Sequence, residues 1–107
     1  MKTFLKAAVA AAIVTMSGGA QADWHGGKVS QVNIGYDGST ITFVIAGWVR
    51  NNCTCYAVWN NTMCLNRSRL TYKEEVALLY MARARDSVLY ANIDEATCSV
   101  VAIYEIT

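Results

Sequence analysis

The chain has 107 residues, no proline, four cysteines and a formal net charge of +1, from nine Lys and Arg against eight Asp and Glu. That length holds one domain and excludes a multi-module enzyme. The near-balanced charge argues against a protein that grips nucleic acid by counterion release, which needs a basic face.

At the N-terminus, Lys2 and Lys6 precede an apolar run from Ala7 to Met16, followed by Ser17-Gly18-Gly19 and the small-residue stretch Ala20-Gln21-Ala22. This is the pattern of a secretory signal peptide over 1–22, cut after Ala22. A membrane anchor would need about 20 apolar residues, and Ser17-Gly18-Gly19 interrupts the run too early. A lipid anchor would need a Cys just past the cut, where Asp23 stands. The expectation is a secreted or periplasmic protein with no membrane span after cleavage and a single domain over 23–107. Removing the signal takes away Lys2 and Lys6, which moves the charge from +1 to −1 over the 85 residues that remain of 107. A domain that small buries only about 60–65 % of its unfolded surface, so covalent staples or oligomer contacts are expected to support it.

Within that domain, the run Val29 to Tyr36 places Val32, Ile34 and Tyr36 on one face, and Asp37-Gly38 follows as a tight-turn signal. A β-hairpin is predicted. Its returning strand, Thr40 to Val49, points Ile41, Phe43 and Ile45 inward and carries Val44, Ala46 and Trp48 on the opposite face, so it is expected to be covered on both sides. Arg50-Asn51-Asn52 breaks the pattern. A third extended stretch then runs from Cys55 to Leu65, interrupted at Asn60-Asn61, which favour turns or bulges.

The period then changes. Thr71 with Glu74 three residues later reads as a capping box that opens a helix from Tyr72 to about Arg85, with Arg83 and Arg85 at the negative end of its dipole. Val76 to Ala82 is uniformly apolar, which predicts a helix buried on more than half its circumference, in its own domain or against a neighbouring subunit. Two strands follow, Ser87 to Ile93 and Cys98 to Ile106, joined by a turn at Asp94-Glu95-Ala96. There is no internal repeat or low-complexity linker.

Export would place Cys53, Cys55, Cys64 and Cys98 where disulfides form. Four cysteines permit three pairings, and Cys53 with Cys55 is disfavoured because one intervening residue on an extended chain gives the wrong separation. One bridge from the Cys53/Cys55 pair to Cys98 and another to Cys64 are expected, with the choice between the two cysteines open. Each bridge should stabilise by about 2–4 kcal/mol. A four-thiolate zinc site lacks the usual paired spacing.

The predicted composition is mainly β with one helix, in the order β-β-β-α-β-β. That is the order of an OB-fold, a five-stranded Greek-key barrel with a helix between its third and fourth strands. The hairpin opening in Val32-Asn33-Ile34, the Cys-bearing third strand, the apolar helix Glu75-Val76-Ala77-Leu78-Leu79, then Val88 to Ile93 and Cys98, resemble small exported bacterial proteins. These are similar in outline to the binding subunits of AB5 toxins, especially the subtilase cytotoxin type. The resemblance covers 28–107. It implies an OB barrel, a homo-oligomeric ring, pentameric if toxin-like, and glycan recognition, but it carries no sugar-contact residue across.

Catalysis is tested by subtraction. The single histidine, His25, stands third in the predicted mature chain, so a Ser-His-Asp or Cys-His arrangement would rest on a terminal residue. Glu74 is accounted for by the cap, and Glu75 points about 100° away from it. No catalytic residue is assigned, and a non-enzymatic binding module is expected. Cleavage after Ala22 would leave Asp23-Trp24-His25, whose free amine, two amide nitrogens and imidazole form a square-planar site for Cu(II) or Ni(II). No other cofactor is expected.

Trp24, Trp48, Trp59 and six Tyr exceed what a small core requires, and aromatic faces beside Asn side chains suit a sugar ring or a protein partner. Trp48, Asn52, Trp59 and Asn60 are the candidate ligand-binding residues, in loops also marked by Asn51 and by Asn61-Thr62. The competing readings are that these aromatics fill the barrel and a subunit interface, or that the chain is a stapled inhibitor of a secreted lytic enzyme. Arg67, Arg69, Arg83 and Arg85 read as a solvated basic edge and the helix end.

Overall fold

A computed structural model describes residues 22–106, so the predicted signal peptide, apart from Ala22, lies outside the described residues. The elements are β1 (Ala22–Ile34), β2 (Thr40–Ile45), β3 (Met63–Asn66), α1 (Tyr72–Arg85), β4 (Val88–Asp94) and β5 (Val100–Ile106). The predicted order of three strands, a helix and two strands is observed. One five-stranded antiparallel sheet runs β3-β2-β1-β4-β5. β3 meets the residue just before β5 at an isolated parallel bridge, Cys64 to Ser99, where the Cys64 N–H donates to the Cys98 carbonyl at 3.1 Å. The strand order is barrel-like, and the sheet is not closed.

β1 holds the sheet together because it serves two partners. Ala22 to Lys28 pair with Asp94 to Val88 of β4, and Val29 to Ile34 pair with Ile45 to Ile41 of β2. A bulge between Val29 and Gln31 marks the changeover, and such an insertion bends a strand. The strand begins seven residues before the predicted Val29, in a stretch that alternation could not reveal because it contains Gly26 and Gly27. Gly26 has a packing reason: a Cβ there would overlap the Tyr90 ring, which lies across the β1 backbone.

Two other predicted strands are shorter than expected. β2 stops at Ile45 because Gly47, at φ +89°, turns the chain and brings the Trp48 N–H to the Ile45 carbonyl at 3.0 Å. Most of the stretch from Cys55 to Leu65 is loop, and only its end joins the sheet as β3. That loop is tied down elsewhere. The Cys53 N–H donates to the Asn60 carbonyl at 3.0 Å, and the Thr54 and Cys55 N–H groups both donate to the Thr97 carbonyl, at 3.2 and 3.0 Å. Disulfides join Cys53 to Cys98 and Cys55 to Cys64, one from the Cys53/Cys55 pair to each partner as expected.

The core is mostly aliphatic around the Phe43 ring, with Phe43, Ile45, Met63, Leu65, Leu79, Leu89 and Ile93 all essentially inaccessible. From α1, Glu75, Leu79 and Ala82 are buried, a single stripe at helical spacing. The domain therefore covers less of the helix than its composition predicted, and Tyr80 and Met81 remain 43 % and 42 % exposed.

The helix start also departs from expectation. Thr71 makes no side-chain bond to the helix backbone, and its Oγ1 donates instead to Glu75 Oε2 at 2.9 Å. Glu75, not Glu74, is the working acid. Arg69 grips it with Nε and Nη2 at 2.7 and 2.6 Å, and Nη2 also donates to the Val101 carbonyl of β5 at 2.9 Å. Arg69 is thus an internal clamp between the helix start and β5, not part of a solvated edge. Burial pushes the Glu75 carboxyl up, but the hydrogen bonds from Arg69 and Thr71, with the Arg69 charge, outweigh it and hold the group below its ordinary 4.5.

Candidate functional site

The loops at either end of the Cys53 to Thr62 segment build a surface hollow of ≈ 400 Å³. Gln31 and Val44 reach it from neighbouring positions on β1 and β2, Trp48, Val49, Arg50 and Asn51 from the chain after the Gly47 turn, and Asn60 and Asn61 from the far end of the loop. The lining combines one indole, two aliphatic side chains, four carboxamides and a guanidinium. Such a surface offers an apolar face with several neutral donors and acceptors around it.

Behind the hollow, Arg50 is held in a fixed orientation. Its Nε donates to Asn52 Oδ1 at 2.9 Å, Nη1 to Glu95 Oε1 at 3.0 Å and Nη2 to the Glu95 carbonyl at 2.7 Å. This fork links the loop after β2 to the β4–β5 turn. On its other oxygen Glu95 meets His25 Nε2 at 2.7 Å, and the His25 ring lies edge-on to Trp48 with centroids 6.2 Å apart. Comparison with protein-family models, with curated proteins and with solved structures finds no match for this chain. The site is therefore read from its own chemistry.

Of the four candidate ligand-binding residues, the structure brings Trp48 and Asn60 together in the hollow. Asn52 stands behind it, its side-chain oxygen engaged by Arg50. Trp59 belongs to a different cluster, with its ring centroid 5.7 Å from Tyr36 and 5.2 Å from Tyr56. A third aromatic group lies on the outer face of β1, β4 and β5, where Tyr90 stacks on Tyr104 at 5.0 Å and Trp24 meets Tyr104 edge-on at 5.1 Å. None of the three tryptophans is fully buried, and Trp48 packs against the edge of the core.

The predicted N-terminal copper or nickel residues, Asp23, Trp24 and His25, are in strand register with Ile93, Asn92 and Ala91 of β4. Sequence reading missed Glu95, taken as a plain turn residue, and Arg50, taken as a break in the strand pattern. No local signal could have joined them, since Glu95 lies 70 residues from His25 and 45 from Arg50. Two other hollows flank Arg67, whose guanidinium sits 5.3 Å from the Tyr72 ring centre and whose Nε donates to the Gly38 carbonyl. Among the described residues no helix is long and apolar enough to cross a membrane.

Proposed function

We propose that this chain is an exported, non-enzymatic binding module that takes a glycan in the Trp48 hollow. The observation that carries the reading is the lining itself, in which the Trp48 indole shares the hollow with the carboxamides of Gln31, Asn51, Asn60 and Asn61. A sugar ring presents an apolar face of C–H groups and a rim of hydroxyls that both donate and accept. An indole face and neutral amides match the two respectively. The two disulfides fit an oxidising compartment, either extracellular or periplasmic. An OB-type barrel is the architecture proposed, supported by the element order and by the Cys64 to Ser99 bridge between β3 and the residue just before β5.

Self-association belongs to the same reading, supported by the outward stripe of Ala77, Tyr80, Met81 and Ala84 on α1, which the domain leaves uncovered. A native mass equal to one chain would remove this part and leave the glycan site standing. The main test is a glycan array followed by titration with tryptophan fluorescence as readout. Trp48→Ala is expected to weaken the selected glycan by about tenfold or more, as loss of a central aromatic contact does, while Trp59→Ala leaves affinity unchanged. Absence of binding and of any spectral response across the array overturns the glycan reading. A stoichiometric complex with a secreted lytic enzyme in its place would identify an inhibitor.

A further inference from the structure

We propose that Asp23, His25 and Glu95 form a binding site for one divalent first-row metal ion, with zinc taken as the ion to test. Asp23 and His25 are two residues apart on β1, so their side chains leave the same face of the strand. Their register partners on β4 are Ile93 and Ala91, and the chain turns back immediately afterwards through Glu95. One ligand atom from each of the three residues lies within 4.8 Å of the other two. Asp23 Oδ1 accepts the Trp24 N–H at 2.8 Å, which fixes that carboxylate and leaves its second oxygen available.

The donor set is one imidazole nitrogen and two carboxylate oxygens. Three protein ligands with a fourth position for solvent match the count of an open zinc site, and imidazole nitrogen and carboxylate oxygen are both donors that zinc accepts. Tetrahedral bonds of about 2.0–2.2 Å require donors roughly 3.3–3.6 Å apart. The His25 Nε2 to Glu95 Oε2 contact of 2.7 Å must therefore widen by about 0.6–0.9 Å, and the Asp23 oxygen moves in to meet it. Arg50 already holds Glu95 by Oε1 and by its carbonyl, which leaves Oε2 facing His25 and fixes its direction. Outer hydrogen bonds of this kind orient metal ligands. Two carboxylates against one guanidinium leave the group one negative charge before any ion enters, a balance that suits a dication.

This site differs from a square-planar chelate on the terminal amine and backbone amides. That chelate would take the Trp24 N–H away from Asp23 Oδ1 and use the β1 amide nitrogens as ligands, whereas the side-chain site leaves the β1 backbone as it is and ties it to the β4–β5 turn. Thiolates cannot supply the binding, since no cysteine among the described residues is free.

The test is titration of untagged, oxidised protein with Zn(II) against a chromophoric chelator at neutral pH. Uptake of one equivalent is expected, weakened about tenfold or more by Glu95→Gln and by His25→Ala. His25 is the chain's single histidine, so its ring protons report on the unmodified protein, and zinc should shift them in NMR spectra. Wild-type protein that takes up no zinc, or whose His25 resonances do not move, overturns the site. So does uptake that survives Glu95→Gln and disappears when an extra residue is placed before Asp23, since that pattern belongs to the terminal chelate.

Discussion

The loop from Cys53 to Thr62 and the first half of β1 flank the same end of the molecule and are held by different means. The loop has almost no regular structure, yet two disulfides and two backbone hydrogen bonds to Thr97 fasten it to β3 and to the β4–β5 turn. Residues Ala22 to Lys28 form a regular strand without any covalent cross-link, held by pairing with β4, by the Tyr90, Tyr104 and Trp48 rings, by the His25–Glu95 and Lys28–Asp86 contacts and by the Ala46 N–H on the Lys28 carbonyl. The comparison separates order from anchorage. The Trp48 hollow draws Asn60 and Asn61 from the covalently fastened loop, whereas two of the three proposed metal ligands stand on a strand held by weak interactions alone.

Replacing both members of a disulfide by serine tests the fastened side. The Cys53 to Cys98 bridge spans 45 residues and the Cys55 to Cys64 bridge spans 9. On chain entropy, the first should stabilise by about 4 kcal/mol and the second by about 2.5. Urea unfolding of Cys53→Ser/Cys98→Ser and of Cys55→Ser/Cys64→Ser measures the difference, and equal losses would show that the bridges act through native contacts instead.

On the weaker side, Gly26→Ala drives a methyl group into Tyr90. A loss of about 2 kcal/mol is expected, in the usual range for overpacking. Hydrogen exchange should show it first in Ala22 to Lys28, and Tyr90→Ala in the same chain should recover part of it. An equal rise in exchange across the Cys53 to Thr62 loop would erase the distinction between the two regions.

The smallest effect concerns Glu75, which lies outside both regions and serves as their common reference. Its carboxyl sits below its ordinary 4.5 in the folded chain, so its contribution is present above that pH and is lost as pH falls through the folded value. Glu75→Gln should cost about 1 kcal/mol at neutral pH, because the amide keeps part of the hydrogen bonding. The same substitution should flatten the acid limb of a stability profile measured by thermal melts.

The parts legible in the sequence were those with a local cause. Helix α1 runs between the predicted limits because its residues are good helix formers, and the element order follows from the changes in period. The bridge pattern follows from the poor separation of Cys53 and Cys55. The first half of β1 was illegible because Gly26 and Gly27 erase alternation, and its strand character depends on Tyr90, which arrives from 64 positions away. The capping error has a similar origin. Thr71 and Glu74 have the right spacing, but Arg69 and Val101 make Glu75 the acid that is used, and Val101 belongs to a distant strand. Trp48 and Asn60 could be suspected from composition, while the Arg50–Glu95–His25 chain exists only in three dimensions.

The Cys53 to Cys98 bond also bears on how the molecule reaches this arrangement. It makes the loop before β3 and the residues just before β5 neighbours even in a denatured oxidised chain, so the Cys64 to Ser99 contact becomes a short-range one. Folding slows as contacts become more remote along the chain, and this bond shortens the search for one of the remote contacts. The absence of proline removes the usual isomerisation that takes tens of seconds. The oxidised chain is thus built for rapid, repeatable recovery after unfolding, whereas the reduced chain must find the same contact by diffusion.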